Sequence, residues 1–121
     1  MATYTQIQSF DRVPIQYAGY ATSDGRRVVF PLTGLTLASV QADDATGDGT
    51  GWSTAVLTVR LGNCPEGPFY AVPAGGVTLT TASRLTNIID VSGYGYLAVD
   101  VTTAEGSARF VKITLCGKGE R

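Results

Sequence analysis

Apolar and polar positions alternate most regularly in "YGYLAVDVTTAEGSARFVKITL", residues 94–115. Leu97, Val99 and Val101 interleave with Ala98, Asp100 and Thr102. After a polar break, Val111, Ile113 and Leu115 interleave with Phe110, Lys112 and Thr114. Side chains of an extended chain point alternately to opposite faces, so a period of two on both sides of Ala104-Glu105-Gly106-Ser107 predicts a β-hairpin with one buried face. The same reading predicts extended segments at 3–10, 14–22, 26–32, 35–41, 52–61, 69–72, 77–81 and 87–91. Ser23-Asp24-Gly25 is a strong turn signal, because Asp-Gly suits the positive-φ positions of a tight hairpin. In 52–61, Ala55, Leu57 and Val59 fall on one face and Val56 and Thr58 on the other, which predicts a central strand with apolar contacts on both sides.

No segment repeats apolar residues at helical spacing for three turns, no internal repeat is visible and no linker divides the chain. The sequence therefore reads as all-β: a single-domain β-sandwich of eight or nine short strands, in jelly-roll form. Two segments break the pattern. "ADDATGDGTG", residues 42–51, is too polar to bury and too rich in glycine to be stiff, which predicts a mobile surface loop. Residues 1–17 mix Gln and Thr with single apolar residues, and two readings stand for them. They form either an arm that orders against a neighbouring molecule, with Ile7, Phe10 and Ile15 as its anchors, or an edge strand beside a sandwich domain at 18–121.

Composition narrows the possible roles. A chain of 121 residues with 44% hydrophobic and 16% charged side chains can bury one real core without staples. The net charge is −1, from nine basic and ten acidic residues scattered in ones and twos, so a nucleic-acid backbone finds no basic stripe to displace its counterions. Arg26-Arg27 reads as a solvated pair beside a turn. No apolar run approaches the roughly 20 residues of a membrane span. The start, Met-Ala-Thr-Tyr-Thr-Gln-Ile-Gln, lacks the basic end and apolar centre of a signal peptide, which predicts a product made and kept in the cytosol. A bridge between Cys64 and Cys116 would close about 50 residues and contribute roughly 4 kcal/mol. The reducing compartment, and the alternation that puts Cys116 with Lys112 and Thr114 away from the core, predict two free thiols instead.

Little chemistry is on offer. There is no histidine, which removes the usual general base, the Ser-His and Cys-His pairs and the commonest metal ligand. Asp43 and Asp44 are adjacent, Asp48 follows four positions on and no Glu closes the loop, so a calcium site is at most a weak surface ion, and no cofactor is implied. Asp90, Asp100 and Glu105 are the carboxylates a glycosidase would draw on; sitting on or beside one hairpin in so small a chain, they read as solvated or satisfied groups. The aromatic residues are the better candidates for recognition. Tyr94 and Tyr96, two apart, share one face and suit either a sugar platform or a subunit interface, while Trp52 and Phe69 read as core and Phe69 and Tyr70 point to opposite faces.

The segment from Trp52 to Lys118 resembles small β-sandwich proteins encoded among the structural genes of tailed bacteriophages and prophages. A tryptophan-led strand of alternating valines, an aromatic-Tyr strand, an "IDVSGYGYLAVDVTTAEG" segment and a closing "VKITLCGK" strand carry the likeness. Trp52, Val56, Val59, Phe69, Tyr70, Asp90, Val91, Gly93, Leu97, Val99, Glu105 and Gly106 occupy its positions. The turn Gly62-Asn63-Cys64-Pro65-Glu66-Gly67-Pro68 is longer than the short Ser-Asp-Gly type usual there. Within that group the resemblance implies a capsid decoration (cement) protein: non-enzymatic, homotrimeric, bound to the major capsid protein on the head surface. A carbohydrate-binding module with a glycan on Tyr94, Tyr96 and Trp52, or a tail or baseplate accessory, stands as the alternative.

Overall fold

A computed structural model describes residues 3–17, 27–47, 51–73 and 77–120. Among them are nine strands and no helix: β1 (Thr3–Pro14), β2 (Arg27–Pro31), β3 (Leu35–Asp44), β4 (Val56–Gly62), β5 (Tyr70–Ala71), β6 (Thr78–Leu79), β7 (Ile89–Asp90), β8 (Tyr96–Thr103) and β9 (Phe110–Glu120). The Ser23-Asp24-Gly25 turn and the end of the 14–22 segment lie outside the described residues.

The strands form two antiparallel sheets, β1-β9-β3-β7 and β2-β8-β4-β5, with β6 also paired to β4. This order is a jelly roll. Apart from β4, β5 and β6, which follow one another within the five-stranded sheet, consecutive strands lie in opposite sheets, and most pairings join strands far apart in sequence. Paired residues share a face, so the register places Leu97 beside Phe30 and Leu61, Val99 beside Val28 and Val59, and Ile113 beside Phe10 and Ala42. Val40, Leu57, Val59, Leu97, Ile113 and Leu115 are fully buried and make the centre of the core between the two inner faces. β4 is a central strand, as its two apolar faces predict.

The hairpin expected at 94–115 does not form. β8 lies in one sheet and β9 in the other, and residues 104–109 carry the chain across. Both strands have the predicted inward stripe, but the stripes face each other through the core instead of lying side by side. Period two reports which side of a strand is apolar and is silent on its neighbours.

The 42–51 segment is also more ordered than its composition suggests. Ala42 is fully buried, β3 runs on through Asp44, and the Ala45 N–H donates to the Phe110 carbonyl at 2.9 Å. The Thr46 hydroxyl accepts from the Phe110 N–H at 2.9 Å, fastening the strand end to β9. Residues 48–50 lie outside the described part.

At the N-terminus β1 pairs with β9 from Thr3↔Glu120 to Pro14↔Phe110 and lies at the edge of the four-stranded sheet. A bulge between Phe10 and Val13 inserts one extra residue, which changes which side chains face inward. Before it Gln8 and Phe10 point toward the core; after it Val13 and Ile15 do. Gly34 and Gly119 leave room for Tyr4 at the far end: Gly34 has φ of +77°, and a Cβ on Gly119 would overlap the Gly34 carbonyl oxygen.

Candidate functional site

The residues singled out from the sequence do not converge on one place. Ile7 is exposed on the outer face of the four-stranded sheet, beside Cys116. Phe10 sits at the open edge between the sheets, its ring edge-on to Phe30 with centroids 5.1 Å apart, and remains partly exposed. Gln8 closes the same edge by donating from its amide to the Pro31 carbonyl at 2.8 Å. Ile15, expected as an anchor for a partner, is fully buried; the bulge turns it into the core, so it has no surface to offer.

Tyr94 and Tyr96 part company as well. Tyr94 belongs to the turn between β7 and β8, where its N–H donates to the Val91 carbonyl at 3.1 Å, so strand alternation does not apply to it. Its ring lines a cleft of about 320 Å³ at the β4–β5 corner, together with Leu61, Asn63, Cys64, Pro68 and Tyr70. Tyr96 is half-buried on the outer face of the five-stranded sheet, between Pro31 and Gly62, and does not line that cleft. Trp52 is buried at the opposite end of β4, roughly 20 Å away along the strand, with its indole N–H on the Ala55 carbonyl at 3.0 Å. No row of aromatics links the three, so the platform imagined from Tyr94, Tyr96 and Trp52 is absent. Tyr70 is the second exposed ring of the cleft. The alternation that buries Phe69 was the signal for it.

The carboxylates are committed to structure. Asp100 is fully buried on the outer face of the five-stranded sheet, which is unusual for a charged residue, and Arg27 explains it. Arg27 grips it with two guanidinium hydrogen bonds, one of them from Nη2 to Oδ2 at 2.8 Å, and Arg60 Nε lies 3.4 Å from Oδ2. The Arg27 guanidinium also sits 4.6 Å from the centre of the Phe69 ring, which roofs the pair. Arg27 is therefore no solvated surface residue; Arg26 lies outside the described residues.

Glu105 is buried where the chain crosses from β8 to β9. Its Oε1 accepts from the Thr54 and Ala55 N–H groups at 2.7 and 3.0 Å, and its Oε2 from the Ser53 N–H at 2.8 Å and the Ser53 hydroxyl at 3.2 Å. The Glu105 N–H donates to the Ile15 carbonyl at 2.8 Å. Burial pushes the carboxyl pKa up, but the donors of Thr54, Ser53 and Ala55 outweigh it and hold the group below its ordinary value. Asp90, exposed on β7, is also lowered, by the Ser92 N–H and then the Ser92 hydroxyl. No two of the three form a catalytic pair, because Asp100 is locked in an ion pair and Glu105 has its acceptor sites filled.

Cys64 is exposed in the cleft and Cys116 is half-buried on the outer face of the four-stranded sheet, and both are free thiols. Among the described residues no group of three or more His, Cys, Asp or Glu could hold a metal ion. Asp48 of the calcium reading lies outside them.

No protein-family model and no curated protein sequence matches the chain. Solved structures do. The SPBc2 prophage-derived protein YomS superposes with a TM-score of 0.59 at 10% identity, covering 98% of both chains. The PBSX exported protein XepA superposes with a TM-score of 0.67 at 8% identity; the match covers 98% of this chain and 39% of XepA's length. A xylan-binding module is more distant, at a TM-score of 0.47 and 10% identity. What this chain shares with YomS from end to end, and with part of XepA, is the β-sandwich fold.

Proposed function

We propose that this protein is a non-enzymatic virion structural protein of a tailed phage or prophage: a capsid decoration protein that docks as a homotrimer on the major capsid protein at the head surface. The observation that carries the reading is the end-to-end likeness to a prophage-derived protein of the same single-sandwich size. The use of Asp100 and Glu105 as internal ties is consistent with it, since a tile needs rigidity and no turnover. Many identical weak contacts on a symmetric lattice turn modest single-site affinity into durable attachment.

The test is incubation of the purified protein with expanded capsids, followed by co-sedimentation and a heat or osmotic challenge. Stoichiometric binding with raised capsid resistance is the expected result; binding to tails alone, or to no virion part, overturns it. A point substitution suits the N-terminal segment better than a deletion, because residues 3–12 make up most of an edge strand paired with β9. The exposed Ile7→Asp substitution asks whether the N-terminal strand meets the capsid without removing that strand.

A glycan-binding reading draws on one observation, the cleft with the exposed rings of Tyr70 and Tyr94 beside the Asn63 amide. Retention on a glycan array that is lost in Tyr70→Ala, by a protein that ignores capsids, would favour it.

A further inference from the structure

The turn at residues 62–68 builds much of the cleft at the β4–β5 corner. Asn63, Cys64 and Pro68 line it from the turn and Leu61 from β4, while Tyr70 and Tyr94 add rings that are 67% and 39% exposed. The main chain holds these walls in place. The Gly67 N–H donates to the Cys64 carbonyl at 3.1 Å within the turn, and the Gly95 N–H donates to the Gly62 carbonyl at 3.2 Å, tying the Tyr94 turn to the end of β4. Tyr70 pairs with Leu61 across the sheet. A ligand entering such a cleft has little main chain to order, which lowers the cost of binding.

The side chains of this cleft differ from their counterparts elsewhere in having no work inside the fold. Phe10 and Phe30 rest on each other, and Phe69, Trp52 and Phe110 each carry an arginine guanidinium over the ring. Among the described residues, Tyr70 and Tyr94 contact neither another ring nor a cation. Nor do their hydroxyls, the Asn63 amide or the Cys64 thiol make a side-chain hydrogen bond among those residues. Exposed polar side chains at other places do, as Gln41 with Asp43 and Thr58 with Thr102 show. Ring faces and hydrogen-bonding groups are thus gathered around the apolar lining of Leu61 and Pro68, and the fold uses none of them.

We infer that this cleft binds a neutral sugar, a mono- or disaccharide unit with no charged substituent, whose C–H face stacks on Tyr70 and whose hydroxyls meet the Asn63 amide and the Tyr94 hydroxyl. Three properties select that ligand. An aromatic face suits the apolar face of a pyranose, and amides and phenols both donate and accept, as sugar hydroxyls do. No charged side chain lines the cleft, so an ionic ligand would lose its hydration without gaining a counter-charge. The volume of about 320 Å³ lies at the lower end of small-molecule sites, which fits a short saccharide unit. A proline-rich peptide docks along an extended aromatic groove, which two rings at one corner do not provide. This inference rests on the glycan reading of the cleft, narrows it to uncharged sugars and is independent of capsid docking.

Cys64 supplies the reporter: its thiol is exposed in the cleft, while Cys116 on the four-stranded sheet is an internal reference. The folded protein is alkylated with iodoacetamide, and each cysteine is followed by peptide mass mapping. The additions are the methyl glycosides of glucose, galactose, mannose and N-acetylglucosamine, methyl glucuronide, or a proline-rich peptide, each at high millimolar concentration. At least one neutral glycoside should slow Cys64 labelling several-fold and leave Cys116 unchanged. Tyr70→Phe should retain the protection, and Tyr70→Ala should need roughly tenfold more sugar for the same effect, with circular dichroism to verify the retained sheet. Asn63→Ala, in the exposed turn, should weaken protection as well and serves if Tyr70→Ala misfolds. Glucuronide protection equal to that of the neutral sugars overturns the neutral specificity and leaves the glycan reading standing. Protection by the peptide alone, or by no addition, overturns both. Protection that survives Tyr70→Ala unchanged, or that falls on Cys116, puts the sugar elsewhere and overturns the assignment of the cleft.

Discussion

Replacing Glu105 by Gln should cost this protein a large part of its stability and do so in a pH-dependent way. The carboxylate takes four hydrogen bonds from Ser53, Thr54 and Ala55 and so ties the lead-in of β4 to the β8–β9 crossover, while its own N–H holds Ile15. A glutamine keeps one acceptor oxygen and puts an NH2 group against backbone N–H donors. Hydrogen bonds to a charged group are worth about 1.5–3 kcal/mol each, but Ser53 and Thr54 are exposed and water can replace their partner, whereas the buried Ala55 N–H has no such recourse. The net expectation is a loss of about 2–4 kcal/mol, or roughly 6–15 °C in Tm for a domain of this size. The folded carboxyl holds its proton less tightly than the unfolded one. Its contribution is therefore complete above the unfolded value of about 4.3 and is lost as pH falls through the lower folded value. Urea unfolding of both proteins at pH 7 and pH 3 measures this. The gap between them should be wide at pH 7 and narrower at pH 3. A Tm within about 2 °C of the unaltered protein at pH 7, or a gap equal at both pH values, would refute the account of Glu105 as a charged tie.

Asp100→Ala removes the carboxylate that Arg27 and Arg60 face on the outer sheet, and should cost about 3–5 kcal/mol by chemical denaturation, because charged groups are left in a site built for an ion pair. A loss below about 1 kcal/mol would mean that the cluster is solvated in solution. Gly119→Ala puts a methyl against the Gly34 carbonyl and the Tyr4 ring and should destabilise by about 1–3 kcal/mol, with Ser39→Ala on the outer face of neighbouring β3 as a near-neutral control. Equal melting temperatures for the two would show that the Tyr4 corner yields freely.

Much of the local architecture was legible in the sequence. The inward stripes Leu97-Val99-Val101 and Val111-Ile113-Leu115, the burial of Phe69 against the exposure of Tyr70, and the central position of β4 all follow from alternation, which is a property of single strands. Pairing partners are another matter. In this jelly roll the chain crosses to the other sheet after β8, so β8 and β9 carry the pattern of a hairpin without forming one. Alternation also fails wherever one residue is inserted or a turn intervenes, as Ile15 after the β1 bulge and Tyr94 in its turn demonstrate. The roles of Arg27, Asp100 and Glu105 depend on residues dozens of positions away, and composition alone makes such groups look solvated. Only the tertiary structure decides them, because a charge is buried when distant donors converge on it. The same holds for the tyrosine cleft: its residues come from β4, β5 and two separate turns, and only the folded chain brings them together.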